Sequence, residues 1–172
     1  MTLEARLRAF DETRWGLLDE LEALPADVLM ARPLTGKWSM IEIVEHLVLA
    51  ERVVYQGLPA PAQLVERERL VKHRVSFLLV LFILTTGLRV RMPSAAMAPR
   101  GGYGLDELRR RWDENQAWLR SCRDHLGEAG LRRAVLEHPV AGPLTLEQAV
   151  RMAQRHLEGH IRQVRTLRRL LG

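Results

Sequence analysis

The chain has 172 residues, of which 47% are hydrophobic and 27% charged, and this composition is typical of a single folded domain with its own apolar core. The formal net charge is +5. The basic residues are nearly all arginines spread along helical patterns, which argues against a nucleic acid as the partner. The lone Cys122 excludes an internal disulfide. We treat residues 1–172 as one domain and, since no apolar leader follows Met1, expect it in the cytoplasm.

The hydrophobic pattern predicts helices over most of the chain. Leucines and a phenylalanine spaced three and four residues apart predict a first helix that stops at Pro25. A connector with room for one helical turn follows. Ser39 and Glu42 form a capping box that starts the second helix, which runs to about residue 56.

The second half of the chain continues in the same way. A third, strongly apolar helix is predicted over 62–88, and a helix with a buried stripe over 105–126. Thr145 and Gln148 form a second capping box, which opens a last helix over about 146–171. No segment shows the alternation of a strand, and "HPVAGP" is read as a connector. The sequence therefore predicts an all-α fold, a single antiparallel helical bundle.

The most apolar stretch, "VSFLLVLFILTTGL" at 75–88, is too short to cross a membrane. As a helix it would span about 21 Å, against a hydrocarbon core of about 30 Å. We interpret it as a buried or partner-facing helix, and membrane insertion as the lesser alternative. Its exposed apolar surface favours a homodimer. The basic residues on both sides leave contact with a membrane surface open.

Two histidines near the end of the chain have the spacing of metal ligands. His156 and His160 are four residues apart on the last helix, so their Cβ atoms lie about 5–6 Å apart. Their stripe is mostly small and apolar, which points both rings into the bundle. Two such imidazoles can converge on one transition-metal ion at about 2.0–2.1 Å. Alone, this pair is a weak signal, because helical proteins contain such pairs by chance.

A third histidine, His46, lies on an apolar stripe of the second helix. If it meets the pair on the last helix, the three neutral nitrogens leave a zinc-like ion with its full charge and an open position. The alternative is a core histidine that is merely hydrogen-bonded. Glu42 lies on the same stripe as His46. It serves either as the acid of the capping box or as a hydrogen-bonding support for a metal ligand. Gln163 either bonds within the bundle or orients a ligating imidazole.

Two motifs give the sequence a resemblance to the DinB/YfiT-like superfamily of metal-binding four-helix bundles. "WSMIEIVEHL" resembles the start of one family helix, and "HPVAGPLTLEQAVRMAQRHLEGHIRQV" resembles the segment that ends in His-(x)3-His-(x)2-Gln. The resemblance covers nearly the whole chain. It implies a four-helix bundle with a long crossover at about 57–104, which would include the extra apolar helix. It also implies that the metal ligands are His46, His156 and His160.

The resemblance further implies an activity. Characterised members of the superfamily are largely transferases or isomerases that use low-molecular-weight thiols such as mycothiol, bacillithiol or glutathione. We therefore expect a small-molecule substrate, a thiol cosubstrate and a divalent transition metal, zinc or nickel. Cys122 is read as buried packing and not as the reactive thiol.

Three alternative functions remain open at this point. A metal-dependent hydrolase could use the same three histidines, and a non-catalytic helical module would need them only as structural residues. An arginine-rich surface for nucleic acid or an anionic membrane would use four residues of the last helix: Arg162, Arg165, Arg168 and Arg169.

Overall fold

The computed structural model of the chain describes residues 2–88 and 93–172. Within these residues the fold is mostly helical, with six α-helices and one short β-hairpin, and the all-α prediction is confirmed. In chain order the elements are α1 (Leu3–Glu22), α2 (Ala26–Met30), α3 (Met40–Val54), α4 (Val71–Thr86), α5 (Leu105–Gly130), β1 (Leu136–His138), β2 (Gly142–Leu144) and α6 (Leu146–Leu171).

Helices α1, α3, α5 and α6 form the bundle around one hydrophobic core. Ion pairs between helices show their relative directions: α5 runs antiparallel to α1, whereas α6 runs parallel to it. These pairs are Glu4–Arg123 and Asp19–Arg109 between α1 and α5, and Arg6–Glu147 and Glu20–Arg168 between α1 and α6.

Helices α3 and α5 are also parallel neighbours. The side-chain nitrogen of Asn115 donates to the backbone carbonyl of Val48 at 3.1 Å. Further along the chain in both helices, the ring of Trp118 stacks on the ring of Tyr55. Consecutive bundle helices that run parallel cannot be joined by a tight turn, so the chain returns along the bundle. The long crossover does this, and α4 lies within it.

The start of α4 differs from the predicted helix over 62–88. Residues 64–70 have no regular structure, because their charged sequence lacks an apolar repeat and the amide of Arg67 donates to the carbonyl of Ala134. The helix ends at Gly87, whose φ of 72° suits a left-handed C-cap. No helix in the described ranges is long and apolar enough to span a membrane.

The connector before α6 contains a hairpin that the sequence did not predict. Leu136 of β1 pairs with Leu144 of β2, and both side chains are fully buried. Gly142 begins β2 with a φ of 73°, a conformation that glycine adopts without strain. Strands of three residues are too short to show an alternating pattern, which is why the sequence did not reveal them.

Both predicted capping boxes are present. Ser39 and Glu42 exchange hydrogen bonds at the start of α3, and Thr145 and Gln148 do the same at the start of α6. Each box satisfies amide groups that would otherwise lack partners in the first helical turn. The boxes therefore fix where α3 and α6 begin, and with them the register of the residues further along these two helices.

A buried polar cluster joins α3 to α5 inside the bundle. The carboxylate of Glu51 accepts hydrogen bonds from the indole of Trp112 at 2.6 Å, from Gln116 at 2.9 Å and from Asn115 at 3.3 Å. Complete burial raises the pKa of Glu51 to about 8, because desolvation penalises the charged form more than these donors stabilise it. Native Glu51 therefore keeps a proton that an unfolded chain would have lost.

This raised pKa predicts a pH-dependent loss of stability. The contribution of Glu51 is fully present below its ordinary pKa and is lost as the pH rises through about 8. Glu51→Gln stays neutral, so its free energy of unfolding should rise relative to wild type from pH 5 to pH 8.5. The gain should reach a few kcal/mol, at about 1.4 kcal/mol per pKa unit. Urea unfolding measures this gain, and Glu12→Gln, at an exposed position, is the control. A difference in free energy of unfolding between Glu51→Gln and wild type that does not change with pH contradicts the prediction.

Candidate metal site

The three histidines singled out in the sequence lie together in the structure. His46 projects from the middle of α3, while His156 and His160 stand one turn apart on α6, which packs against α3. The ring centroids are separated by 5.0 Å for His46 and His156, 4.9 Å for His46 and His160, and 4.6 Å for His156 and His160. The rings meet edge to face and enclose a common point.

Their Nε2 atoms are turned toward that point. The Nε2 of His156 lies 3.2 Å from the Nε2 of His46 and 3.0 Å from the Nε2 of His160. The three nitrogens all lie within 4.8 Å of one another. Ligands of a tetrahedral zinc ion at about 2.0–2.1 Å are themselves about 3.3 Å apart, so the spacing fits such an ion.

The other ring nitrogen of two of these histidines is bound elsewhere. The Nδ1 of His46 donates to the carbonyl oxygen of Met97 at 2.7 Å, since a carbonyl can only accept. The Nδ1 of His160 lies 3.0 Å from the Oε1 of Gln163 and donates to it. A neutral imidazole carries one proton, so the Nε2 of each ring is left with a free lone pair. Ligating histidines in proteins are oriented in this way.

Burial keeps the cluster neutral. Desolvation lowers the pKa of His46, lowers that of His160 to about 4, and lowers that of His156 well below its ordinary range, where the two neighbouring rings add to the effect. With all three rings neutral, His156 can donate one Nε2 proton at most. At least one pair of nitrogen lone pairs then faces each other without a proton between them. A cation at the common point satisfies all three, so these residues fit a divalent transition metal.

The loop that supplies Met97 is held to α3 by a residue that the sequence analysis missed. Both carboxylate oxygens of Glu45 accept backbone hydrogen bonds, from Arg100 at 2.9 Å and from Gly101 at 3.0 Å. Glu45 is only 3% exposed and immediately precedes His46 in the chain. An acidic residue in a mostly apolar stretch, next to a candidate ligand, was the signal available in the sequence. Its partners are backbone amides far along the chain, which no side-chain pattern reveals.

The two residues considered as supports for the ligands have different surroundings. Gln163 contacts His160 directly, as described above. The carboxylate of Glu42 is held by Arg32 and by the amide of Ser39, and in the described part of the chain it forms no hydrogen bond with the three histidines. Glu42 therefore acts as the capping-box acid of α3.

The remaining histidines have other roles. His138 accepts from the backbone amides of Val140 and Ala141 through Nδ1, so it shapes the turn of the hairpin. His73 accepts from a backbone amide at the start of α4, and His125 is exposed on α5. None of the three belongs to the group of candidate ligands found among the described residues.

One side of the cluster is covered by Trp38. Its ring lies 4.8 Å from the ring of His46. Trp38 also lines a surface cleft of about 400 Å³, so it separates this cleft from the histidines. The other residues of the cleft are Arg32, Leu34, Thr35, Gly36, Lys37, Glu42 and Pro99.

Fold and site together define a helical-bundle protein with a buried three-histidine cluster compatible with metal binding. The sequence matches the family model of the DinB superfamily over residues 9–164, and the chain belongs to that superfamily. This confirms the resemblance drawn from the two motifs. Comparisons with curated proteins and with solved structures found no match.

The contact between Gln163 and His160 predicts a measurable effect on metal affinity. Gln163→Leu removes the acceptor of the Nδ1 proton, so the His160 ring is no longer held with its lone pair toward the other two. Zinc should bind about 10–100-fold more weakly, as measured by competition with a chromophoric chelator. Gln154→Leu, on the same helix, is the control and should bind zinc like wild type. Equal affinities for both variants contradict this role of Gln163.

Proposed function

We propose that this protein is a metal-dependent enzyme that transfers a low-molecular-weight thiol to an electrophilic small molecule. His46, His156 and His160 would hold the ion, and zinc or nickel suits their imidazole nitrogens. The observation that carries the proposal is the convergence of three neutral Nε2 atoms within a buried cluster. Membership of the DinB superfamily supports it.

An ion held by three neutral nitrogens would keep its full charge, and it would lower the pKa of a thiol or of a water molecule bound to it. The chain prepares the site for this ion in two ways. Met97 and Gln163 hold the protons of His46 and His160 on Nδ1, away from the centre. Burial keeps the rings uncharged, so they stay available as ligands down to mildly acidic pH.

The thiol in this proposal comes from solution. Cys122, the only cysteine of the chain, is completely buried in the core on α5, as the sequence predicted. Burial raises the pKa of its thiol to about 12, so it is neither accessible nor ionised at neutral pH. A thiolate nucleophile at the histidine cluster must therefore belong to a cosubstrate. Glutathione, bacillithiol and mycothiol are the types we propose.

The metal assignment is tested by elemental analysis. Protein purified without a metal-affinity step should contain about one equivalent of a transition metal, and His46→Ala and His156→Ala should each lose most of it. His125→Ala, which removes an exposed histidine, is the control and should retain the metal. If the cluster variants lose stability but keep the metal content of wild type, the histidines are structural, and the protein is the non-catalytic module considered from the sequence.

The choice of nucleophile is tested by omitting the thiol. Metal-loaded protein is mixed with a panel of small electrophiles and esters, with and without each of the three thiols, and products are followed by mass spectrometry. We expect thioether products that require both the thiol and an intact His156. Turnover at the same rate without any thiol would favour the alternative, a hydrolase at the same histidines. A rate that His156→Ala leaves unchanged would refute catalysis at this cluster altogether.

A further inference from the structure

Helix α4 leaves a continuous apolar face uncovered. It packs on α6 and on β2, with Phe77, Val80 and Leu81 buried beneath it. The side chains on its opposite side are 55–77% exposed. We call these residues the α4 outer face: Val71, Val75, Leu78, Leu79 and Phe82.

The outer face is one stripe and not a scatter of unrelated side chains. Its residues are spaced three and four apart, which places them on one side of the helix, and they run from Val71 in the first turn of α4 to Phe82. Single exposed apolar residues are normal on protein surfaces, but contiguous apolar patches mark surfaces of interaction. These side chains lie outside the core cluster, and packing among residues 2–88 and 93–172 leaves them exposed.

Positive charge surrounds this stripe. The sequence from Arg69 to Leu105 contains no aspartate or glutamate. Lys72 and Arg74 lie in the first turn of α4, and both are exposed. Neither has an ion-pair partner among residues 2–88 and 93–172, where the structure describes the chain.

The far end of α4 is also basic. A guanidinium nitrogen of Arg162, on α6, lies 3.5 Å from the carbonyl oxygen of Thr85. Arg162 lines a cleft of about 680 Å³ together with further arginines of α6. The other lining residues are Glu20, Arg165, Thr166, Arg168 and Arg169. An apolar stripe with cations at both ends offers the two attractions that hold a protein on an anionic membrane surface, which are burial of apolar area and attraction to the lipid charge.

We propose that the α4 outer face docks the protein on an anionic lipid bilayer. The apolar side chains would enter the boundary between headgroups and acyl chains, while Lys72, Arg74 and Arg162 would face the lipid phosphates. With a length of about 24 Å, α4 lies along the surface and does not cross it.

Charge favours lipid over a second copy of the chain. A symmetric dimer through this face would place two copies of the basic segment from Arg69 to Leu105 against each other, and this segment has no acidic residue to compensate. A bilayer rich in phosphatidylglycerol supplies both the apolar interior and the negative charge. The homodimer expected from the sequence would use this same face, so the two occupants exclude each other.

Vesicle sedimentation tests the proposal with the full chain. Wild type should sediment with vesicles of phosphatidylcholine and phosphatidylglycerol, much less with phosphatidylcholine alone, and less as salt increases. The double variant Leu78→Ser and Phe82→Ser should weaken binding at least about tenfold, because it removes apolar area that would enter the bilayer. Lys72→Glu with Arg74→Glu should also weaken it, through charge.

The control variant is Met30→Ser, which changes a side chain as exposed as Leu78 but on α2; it should bind vesicles like wild type. All these substitutions are on the surface, and circular dichroism checks the fold. Absence of binding to anionic vesicles would overturn the proposal, as would binding that the outer-face variant retains. Sedimentation equilibrium tests the alternative, in which a second copy of the chain covers the outer face. A wild-type dimer that becomes a monomer in the outer-face variant would assign the face to this second copy and refute lipid docking.

Discussion

The arrangement on which the site depends is the mutual approach of three uncharged imidazoles in a place with little water. Nitrogen lone pairs that face each other without a proton between them repel, and a buried histidine cannot easily take up a proton to relieve the contact. The approach is maintained by acceptors on the far side of two rings, the carbonyl oxygen of Met97 for His46 and the side-chain oxygen of Gln163 for His160. These two acceptors settle which nitrogen of each ring carries the proton, and so prepare a cluster that has affinity for a cation.

The topology of the bundle explains where these partners come from. Because α3 and α5 are parallel neighbours, the chain needs a long return segment between them. That segment delivers Met97 to His46 and is fastened by Glu45, one residue away on α3. The crossover is therefore part of the site and not only a connection. It also carries α4, so one segment serves the histidine cluster at one end and presents an apolar surface at the other.

Much of this could be predicted from sequence because it depends on local spacing. The capping boxes at Ser39 and Thr145 were identifiable from four residues each, and the i, i+4 spacing placed His156 and His160 on one helix face. His46 required the two family motifs, because the contact between α3 and α6 is a tertiary one that no local pattern reveals.

What the sequence did not reveal depends on backbone groups far apart in the chain. The carbonyl of Met97 and the amides of Arg100 and Gly101 have no side-chain signature, so the orientation of His46 and the role of Glu45 could not be read from residue types. The late start of α4 has the same origin, since residues 64–70 are held by a backbone contact with Ala134. The hairpin was missed because strands of three residues show no period.

The burial of Cys122 also determines how the protein meets oxidants. Sulfenic acids and mixed disulfides form on thiols that are ionised and open to solvent. The single sulfhydryl of this chain is neither, and it cannot link two molecules through a disulfide. Oxidative stress that depletes cellular thiols would leave this sulfhydryl unmodified, so a loss of function under such conditions would not reflect damage to Cys122.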